Sequence, residues 1–346
     1  MSEPESLEIT KIKIALAMQG IRVAARPLNG ATQTAYLLEL DSYNDPSLYP
    51  AELQYTSKYL VLKTYKNISP SWISAIYSTL STFESIHGIQ TPRIFAVGSH
   101  SFINGSKAPW LVIDTCQPFI IYTYVKGQKF TNQISASEVC RIAKALSAFH
   151  STPVNAAPNV NSLPCINLNH IFSSGILDSF TIGNHEILPI QLSKPMRLVT
   201  DFIYKHVFEI DLSLRSIVHG DLHLGNLLNG NDYIGIIDVA DMAVSSPVID
   251  FMALAATLSH LKNAHKLMDV FFETYSLDGL NTAYTQPQRL ALILFRRLML
   301  LRQVTQRVGD IGESLPKIAA LYAQVFRHVE QDIKCFDIDF GYRSGF

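Results

Sequence analysis

The sequence predicts an α+β protein of two lobes, in which a small antiparallel β-sheet lobe precedes a larger and mainly helical lobe. Short apolar runs separated by turn residues fill the first third of the chain, which is typical of strands. Long stretches with helical periodicity fill most of the remainder. The chain has 346 residues, enough to bury two separate cores. We place the boundary so that residues 1–125 form the first lobe and residues 126–346 the second.

The bulk composition excludes several classes of protein. With 48% hydrophobic and 16% charged residues, the chain is far from the composition of a disordered protein. A formal net charge of -1 provides no global basic field for nucleic acid. The longest apolar stretches are too short to span a bilayer. The N-terminal residues show no signal-peptide pattern and the four cysteines are scattered. We therefore expect a cytoplasmic protein with reduced thiols, with export by a non-classical secretion system left open.

The first lobe is predicted to contain a sheet and a helix, preceded by a short amphipathic helix over residues 7–20. Five strand-like segments give an antiparallel sheet, at residues 35–40, 58–65, 93–97, 110–114 and 119–125. Ser69-Pro70 begins the helix, as an N-cap followed by proline at the first position. Lys63 lies inside a strand, where lysine is uncommon because its amine must reach water or a partner.

The second lobe is predicted to be helical on both sides of one β-rich stretch. Ser135 and Glu138 form a capping-box pattern at the start of a helix over residues 135–150. A segment rich in Pro, Asn and Ser follows, and it predicts a loop or lid. Further helices are predicted at residues 195–210, 251–275, 287–308 and 314–335.

The stretch from Ser216 to Asp250 contains the residues that point to a chemistry. It reads SIVHGDLHLGNLLNGNDYIGIIDVADMAVSSPVID, in which apolar runs joined by an Asn-Gly turn predict a β-hairpin. Asp221 precedes the hairpin, Asn226 lies at its start, and Asp238 ends its second strand. Phosphoryl transfer needs a carboxylate that accepts the proton of an attacking hydroxyl, and an amide and a second carboxylate that hold Mg²⁺. The stretch supplies these groups in the order found in protein kinases.

Three motifs in this stretch connect the chain to a known family. They are His-Gly-Asp at 219–221 with Asn226, Ile-Ile-Asp at 236–238, and Pro-Val-Ile-Asp at 247–250. With them, the chain resembles the aminoglycoside phosphotransferase and choline-kinase superfamily, which implies a bilobal protein-kinase-like fold. Weaker matches precede the motifs in the family's order: LNGATQTAY, VLK, IIYTYVKG and ALSAFH. The resemblance covers about residues 20–310.

The resemblance implies roles for the motif residues. Asp221 would be the base that accepts the proton of the substrate hydroxyl. Asn226 and Asp238 would bind Mg²⁺. His219 and Asp250 would hold the catalytic loop in place.

The resemblance also implies a site for ATP or GTP in the first lobe. Lys63 would contact the nucleotide phosphates. The hinge at residues 121–124, which includes Tyr122 and Tyr124, would offer backbone groups to the purine. A loop would cover the triphosphate with its backbone, and the loop consists of Asn29, Gly30, Ala31 and Thr32.

Three positions depart from the family pattern. The family often pairs the strand lysine with a glutamate on the next helix, but no acid lies at residues 77–79, and Glu84 is a turn too late. Val239 follows Asp238, where Trp or Phe is common. Asp241 is an additional acid, which either serves the metal or acceptor site or lies in an exposed turn.

Two metal-centred alternatives fit the sequence less well. The string GDLH also occurs in metallophosphoesterases, but the D-x-H and G-N-H motifs which that class needs are missing. A zinc site from His219 and His223 lacks a third ligand at a recognised spacing. We expect His223 to hydrogen-bond locally instead.

These observations predict a Mg²⁺-dependent phosphotransferase that acts on a hydroxyl of a small molecule, such as an aminoglycoside, an amino sugar, choline or a related metabolite. The acceptor site is expected between the catalytic loop, residues 151–200 and the C-terminal helices. The sequence does not decide which acceptor binds there, nor the oligomeric state.

Two alternatives of the same superfamily remain open. One is a protein Ser/Thr kinase, although the short distance from Asp238 to Asp250 leaves little room for a peptide-docking platform. The other is a non-catalytic nucleotide-binding module, which the missing helix glutamate favours.

Overall fold

The computed structural model describes residues 7–18, 21–28, 35–40, 58–65, 69–98, 111–113, 119–157, 159–173, 181–182, 185–186, 190–207, 209–280, 282–311 and 315–336. The chain divides into two compact units. The first comprises Met1–Gln128, Asn155–Leu163 and Leu228–Ile237, and the second comprises Lys129–Val154, Pro164–Leu227 and Asp238–Phe346. The predicted α+β class is confirmed. The lobe boundary after residue 125 stays a prediction, since the hairpin segment groups with the first unit instead of with the helices.

The first unit is built on a mixed sheet. Its described elements are α1 (Leu7–Met18), β1 (Val23–Pro27), β2 (Ala35–Leu40), β3 (Tyr59–Thr64), α2 (Pro70–Phe83), β4 (Ile89–Gln90), β5 (Ile94–Gly98), β6 (Leu111–Ile113) and β7 (Phe119–Thr123). Within the described residues, six strands form the main sheet in the order β1-β2-β3-β7-β5-β6. Every neighbouring pair in this sheet is antiparallel except β5 and β6, which are parallel.

The prediction of five antiparallel strands is therefore wrong in two respects. The edge strand β1 was not predicted, because its mostly exposed residues lack the apolar alternation that marks a half-buried strand. The strand β6 runs parallel to β5. The connection over residues 99–110 has the length of about a dozen residues that a parallel crossover requires.

A hydrophobic cluster that includes α1 and strands of this sheet forms one part of the core of the first unit. Ile9, Ile12 and Leu16 of α1 join a buried cluster that includes Leu62 of β3. Because successive side chains of a strand point to opposite faces, Lys63 points to the other face. The lysine therefore stands outside this hydrophobic cluster.

The helix α2 begins as the sequence predicts. The side chain of Ser69 accepts a hydrogen bond from the backbone N–H of Trp72 at 3.1 Å, and Pro70 occupies the first turn. The ring of Trp72 packs near Tyr65, whose hydroxyl lies 2.9 Å from the hydroxyl of Tyr122. The predicted N-cap is confirmed, and α2 contacts the sheet through aromatic side chains.

The predicted Asn-Gly hairpin is also confirmed. Its strands are β12 (Leu227–Asn229) and β13 (Ile234–Ile236), in a small sheet with β4 and with β8 (Gln128–Lys129). The N–H of Gly230 donates to the carbonyl of Tyr233 at 3.1 Å and closes the turn. Parallel pairing of Ile234 with Ile89 joins β13 to β4. This pairing explains why the hairpin belongs to the first unit.

The second unit is mainly helical. Its remaining described elements are α3 (Ala136–His150), α4 (Leu168–Ser173), β9 (Thr181–Ile182), β10 (His185–Glu186), α5 (Ile190–Val207), β11 (Ser216–Val218), β14 (Ala243–Ser245), α6 (Val248–Leu258), α7 (Ala264–Thr274), α8 (Gln286–Ile311) and α9 (Leu315–Phe336). The predicted capping box of Ser135 and Glu138 is present at the start of α3. Among the described helices, none combines the length and apolar character needed to cross a membrane.

The prediction of one helix over residues 251–275 is wrong, since α6 ends at Leu258 and α7 begins at Ala264. Asn263 has a φ of 64°, in the left-handed region. Asparagine enters this region more readily than most residues, because its short polar side chain can hydrogen-bond locally. The polar segment before α7 therefore interrupts the apolar periodicity and permits a second helix direction.

A buried ion pair anchors α8 to α9. The Nε of Arg297 lies 3.0 Å from Oδ2 of Asp332, and the two side chains are 9% and 0% exposed. Arg297 also donates to the carbonyl of Ala256 at 2.6 Å, and the hydroxyl of Ser259 donates to Asp332 at 2.6 Å. Burial raises the pKa of Asp332, but contacts with His260, Arg297 and Ser259 outweigh it and hold the pKa below its usual value. The network therefore fixes both helices to the end of α6.

We expect Asp332→Ala to destabilise the second unit strongly. The substitution leaves the guanidinium of Arg297 buried without its carboxylate, and breaking a buried pair costs about 3–5 kcal/mol. Asp269→Ala is the matched control, because Asp269 also pairs with an arginine of α8 but is 50% exposed. Because half of the Asp269 side chain is exposed, water screens this pair and its loss should cost less than that of the fully buried carboxylate. Urea and thermal unfolding of both variants measure the difference, and equal losses would contradict the anchoring role.

Candidate active site

The loop that carries Asp221 begins at a buried strand. β11 pairs antiparallel with β14, with Ile217 opposite Val244. The hydroxyl of Ser216 donates to the carbonyl of His150 at 2.7 Å, which ties β11 to the end of α3. The segment entering the loop is therefore held on both sides before the chain reaches the polar residues.

The carboxylate of Asp250 holds the backbone of this loop. Its Oδ2 accepts a hydrogen bond from the N–H of His219 at 2.8 Å, and its Oδ1 accepts one from the N–H of Gly220 at 2.9 Å. Asp250 and His219 are both fully buried. The ring Nδ1 of His219 accepts from the N–H of Asp221 at 3.3 Å. The loop conformation is thus fixed through three successive backbone amides.

His150 and Tyr275 complete this buried network, although no site role was predicted for either residue from the sequence. The Nε2 of His150 lies 3.0 Å from Oδ2 of Asp250, and its Nδ1 lies 2.9 Å from the hydroxyl of Tyr275. Burial raises the pKa of Asp250, but the hydrogen bonds of His150 and of the loop outweigh it and keep the pKa below its usual value. Because an ionised carboxylate only accepts hydrogen bonds, Nε2 of His150 is the donor.

Gly220 is required by geometry at the turn of the loop. Its φ is +84°, in the left-handed region that glycine adopts without strain. An added Cβ would overlap the carbonyl oxygen of Asp241. The close approach places the short helical turn Val239–Asp241 directly against the loop.

Asp221 is partly exposed, and it forms an ion pair that the sequence did not predict. Nη2 of Arg296, on α8, contacts Oδ1 of Asp221. The side chain of Asp221 is 34% exposed, whereas that of Arg296 is 5% exposed. Burial lowers the pKa of Arg296, and the carboxylates of Asp221, Asp250 and Asp241 counter that effect. No sequence signal indicates this contact, because the two residues are 75 positions apart.

Asn226 and Asp238 offer oxygen ligands that suit Mg²⁺. The side-chain amide nitrogen of Asn226 donates to the carbonyl of Asp221 at 2.9 Å, so its amide oxygen is the atom that could ligate a cation. Asp238 is exposed, and its φ of 62° turns the chain at the end of the hairpin. The described residues contain no group of three or more His, Cys, Asp or Glu that could hold a metal.

His223 hydrogen-bonds locally, as expected. Its Nδ1 accepts from the N–H of Gly225 at 3.0 Å, and its Nε2 lies 3.8 Å from Oδ2 of Asp221. Burial lowers the pKa of His223, which favours the neutral ring. A neutral ring that accepts at Nδ1 carries its proton on Nε2.

The residues expected at the nucleotide lie in the first unit. Lys63 is half-buried in β3, in register with Ala35 and Ile120. Tyr122 is buried in β7, and the ring of Tyr124 packs against Tyr59. The predicted phosphate loop, which consists of Asn29, Gly30, Ala31 and Thr32, lies outside the described residues.

The helix position that often carries an acid in the family is occupied by uncharged residues. Thr79 is fully buried, and no hydrogen bond is made by its hydroxyl within the described residues. The carboxylate of Glu84 lies 3.0 Å from Nε of Arg93. Glu84 is thus paired with an arginine at the end of α2, and its expected separation from Lys63 stays a prediction.

We expect Gly220→Ala to lower the stability of the protein by more than the strain of a left-handed φ at alanine. Gly88 has nearly the same φ, +83°, but an added Cβ there meets nothing within 4 Å. Gly88→Ala therefore reports the cost of the backbone conformation, about 1–2 kcal/mol. Gly220→Ala adds the overlap with Asp241 and should lower the unfolding temperature further. Thermal unfolding of both variants tests this expectation, and equal shifts would show that the close approach is unimportant.

The architecture is similar to that of several solved phosphotransferases. The GDP complex of wild-type aminoglycoside 2'-phosphotransferase-IIIa matches with a TM-score of 0.65 and 14% identity, over 95% of this chain and 98% of that chain. A microcompartment-associated aminopropanol kinase matches with a TM-score of 0.62 and 15% identity, over 96% and 99% of the two chains. Spectinomycin phosphotransferase in complex with ADP and spectinomycin matches with a TM-score of 0.60 and 15% identity, over 97% and 98%. At these identities the similarity establishes the fold.

The family assignment comes from sequence. No curated protein matches the chain. The family model described as "Phosphotransferase enzyme family" matches residues 80–286, which is more than half of the chain and includes the loop, the hairpin and Asp250. The chain therefore belongs to the phosphotransferase enzyme family.

Proposed function

We propose that this protein transfers the γ-phosphoryl group of ATP or GTP to a hydroxyl of a small molecule. The observation that carries the proposal is that the side chain of Asp221 is partly exposed while its loop is held in place by the buried Asp250. Asp250 accepts hydrogen bonds from two backbone N–H groups of that loop. Catalysis of phosphoryl transfer depends on positioning and electrostatics more than on covalent chemistry. A rigid loop that presents a carboxylate meets that requirement.

In the proposed reaction, Asp221 accepts the proton of the acceptor hydroxyl. The hydroxyl oxygen forms a bond to the γ-phosphorus, and the bond from that phosphorus to the β,γ-bridging oxygen breaks. Its electron pair leaves on the nucleoside diphosphate, and the proton on Asp221 is later released to solvent. The hydrogen bonds from the loop amides to Asp250 fix the position of the Asp221 carboxylate. A fixed position is important because a small displacement of a reacting group lowers the reaction rate strongly.

We propose that Asn226 and Asp238 hold Mg²⁺ through their side-chain oxygens. When bound, the cation neutralises charge on the phosphate oxygens. Lys63 would contact the phosphates, the backbone at residues 29–32 would cover them, and backbone groups near Tyr122 and Tyr124 would bind the purine. The support for these roles is their match by position to the family motifs.

We propose a small-molecule acceptor instead of a protein. The names of similar proteins refer to aminoglycosides, spectinomycin and an aminopropanol, all of which are small hydroxyl compounds. Nucleotides named in those complexes are GDP and ADP, which supports either ATP or GTP as the donor. These acceptors differ in size and charge, so they indicate the class of acceptor and no single compound.

We expect Asp221→Asn to lower the rate of phosphoryl transfer by about 10²–10⁴-fold, because an amide cannot accept the hydroxyl proton. The measurement is nucleoside diphosphate release from ATP and GTP with Mg²⁺, with water or members of a small-molecule panel as the acceptor. Nucleotide binding, followed as a rise in unfolding temperature, should stay close to that of the wild type. Full turnover by the variant would contradict the base assignment.

We expect Asp238→Asn to remove most of the Mg²⁺ dependence of nucleotide binding, because an amide oxygen is a weaker ligand for a hard cation than a carboxylate. The nucleotide-induced rise in unfolding temperature, measured with Mg²⁺ and with EDTA, should become similar in the variant. Asp232→Asn is the control, since Asp232 is an exposed acid in the hairpin turn. A variant that retains the wild-type difference would show that Asp238 is not a ligand.

A further inference from the structure

The ion pair between Arg296 and Asp221 is not explained by the chemistry proposed so far. The guanidinium contacts Oδ1 of the carboxylate from a nearly fully buried position, with 5% of its side chain exposed. Arg296 therefore approaches the base from the protein interior. The exposed part of Asp221 remains open to an acceptor.

The packing of α8 fixes where Arg296 points. Its neighbour Arg297 is bound to Asp332 at 3.0 Å and to the carbonyl of Ala256 at 2.6 Å. A rotation of α8 that withdrew Arg296 would also break these buried contacts, which are costly to lose. The guanidinium is thus held at Oδ1 by the same helix that anchors the C-terminal part of the second unit.

The second oxygen of Asp221 has a different neighbour. Oδ2 lies 3.8 Å from Nε2 of His223, which carries the ring proton because Nδ1 accepts from the N–H of Gly225. An oxygen atom at a normal hydrogen-bond distance of about 2.8 Å fits against both atoms at once. Such an oxygen would donate its proton to Oδ2 and accept from Nε2–H. A hydroxyl group has both capacities.

We propose that Arg296 is a positioning residue for phosphoryl transfer, which occupies Oδ1 of Asp221 and presents Oδ2 to the acceptor hydroxyl beside Nε2–H of His223. The inference rests on the proposed function. The hydroxyl proton moves to Oδ2 while the hydroxyl oxygen bonds to the γ-phosphorus and the nucleoside diphosphate leaves with its electron pair. Arg296 stays protonated throughout.

Arg296→Met tests this role in the full-length protein with ATP or GTP, Mg²⁺ and water as the acceptor. We expect kcat to fall by about 100-fold, as misplacement of a reacting group typically causes, while KM for the nucleotide is unchanged. Arg296→Lys should recover part of the rate, because lysine supplies the charge without the fixed geometry of a guanidinium. Arg289→Met is the matched control, since Arg289 lies on the same helix and pairs with Asp269. Its kcat should equal that of the wild type.

A double-mutant cycle separates positioning from a structural effect. In the Asp221→Asn background, Arg296→Met should cause little further loss of kcat, because residues that act as a unit are not additive. A full 100-fold loss in that background would overturn the positioning role. Thermal unfolding verifies that each variant is folded, and Arg296→Gln replaces Arg296→Met if the latter does not fold.

The outcomes distinguish the two proposals. Wild-type protein that binds nucleotide but gives no turnover with any acceptor would overturn the proposed function. Wild-type turnover together with an unchanged kcat in Arg296→Met would overturn only the role of Arg296. A loss in Arg296→Met that Arg289→Met shares would equally overturn that role, since it would arise from damage to α8.

Discussion

The active-site loop depends on one buried carboxylate. Asp250 accepts hydrogen bonds from the N–H groups of His219 and Gly220, and it is held in turn by His150. Burial of an ionised carboxylate without such donors would be very unfavourable. The loop amides therefore stabilise Asp250, and Asp250 in turn fixes the loop. The backbone of the partly exposed Asp221, which follows Gly220, is held in place by the same hydrogen bonds. The fold therefore separates two functions of aspartate: one carboxylate is buried to hold the backbone, and the other stays accessible for chemistry.

Helix α8 provides a second, independent constraint on the same carboxylate. Adjacent arginines of this helix have different partners, since Arg296 contacts Asp221 and Arg297 contacts Asp332. The guanidinium of Arg296 contacts the proposed base, and that of Arg297 fixes the helix on which Arg296 lies. The arrangement links the precision of the site to the packing of the C-terminal helices, so a substitution in that packing can alter catalysis without touching a substrate.

The sequence was sufficient wherever the determining interactions are local. The capping box of Ser135, the N-cap of Ser69 and the hairpin before Asp238 involve residues a few positions apart, and each was confirmed. The sequence failed where partners are distant or periodicity is ambiguous. The edge strand β1 has few buried side chains, and the short polar segment before Asn263 separates two apolar helical patterns that together predict a single helix. Asp221 and Arg296 are 75 positions apart, so no sequence pattern predicts that they pair.

The proposed base and the proposed metal ligands lie between residues 221 and 238, within the 80–286 range that the family model matches. Arg296 lies beyond that range, yet it touches the proposed base. The family match therefore covers the proposed base and metal ligands, whereas the proposed orientation of the base towards its hydroxyl involves a helix that extends beyond the match. The acceptor hydroxyl must fit the orientation of the Asp221 carboxylate. The determinants of acceptor specificity are therefore best sought in the C-terminal helices.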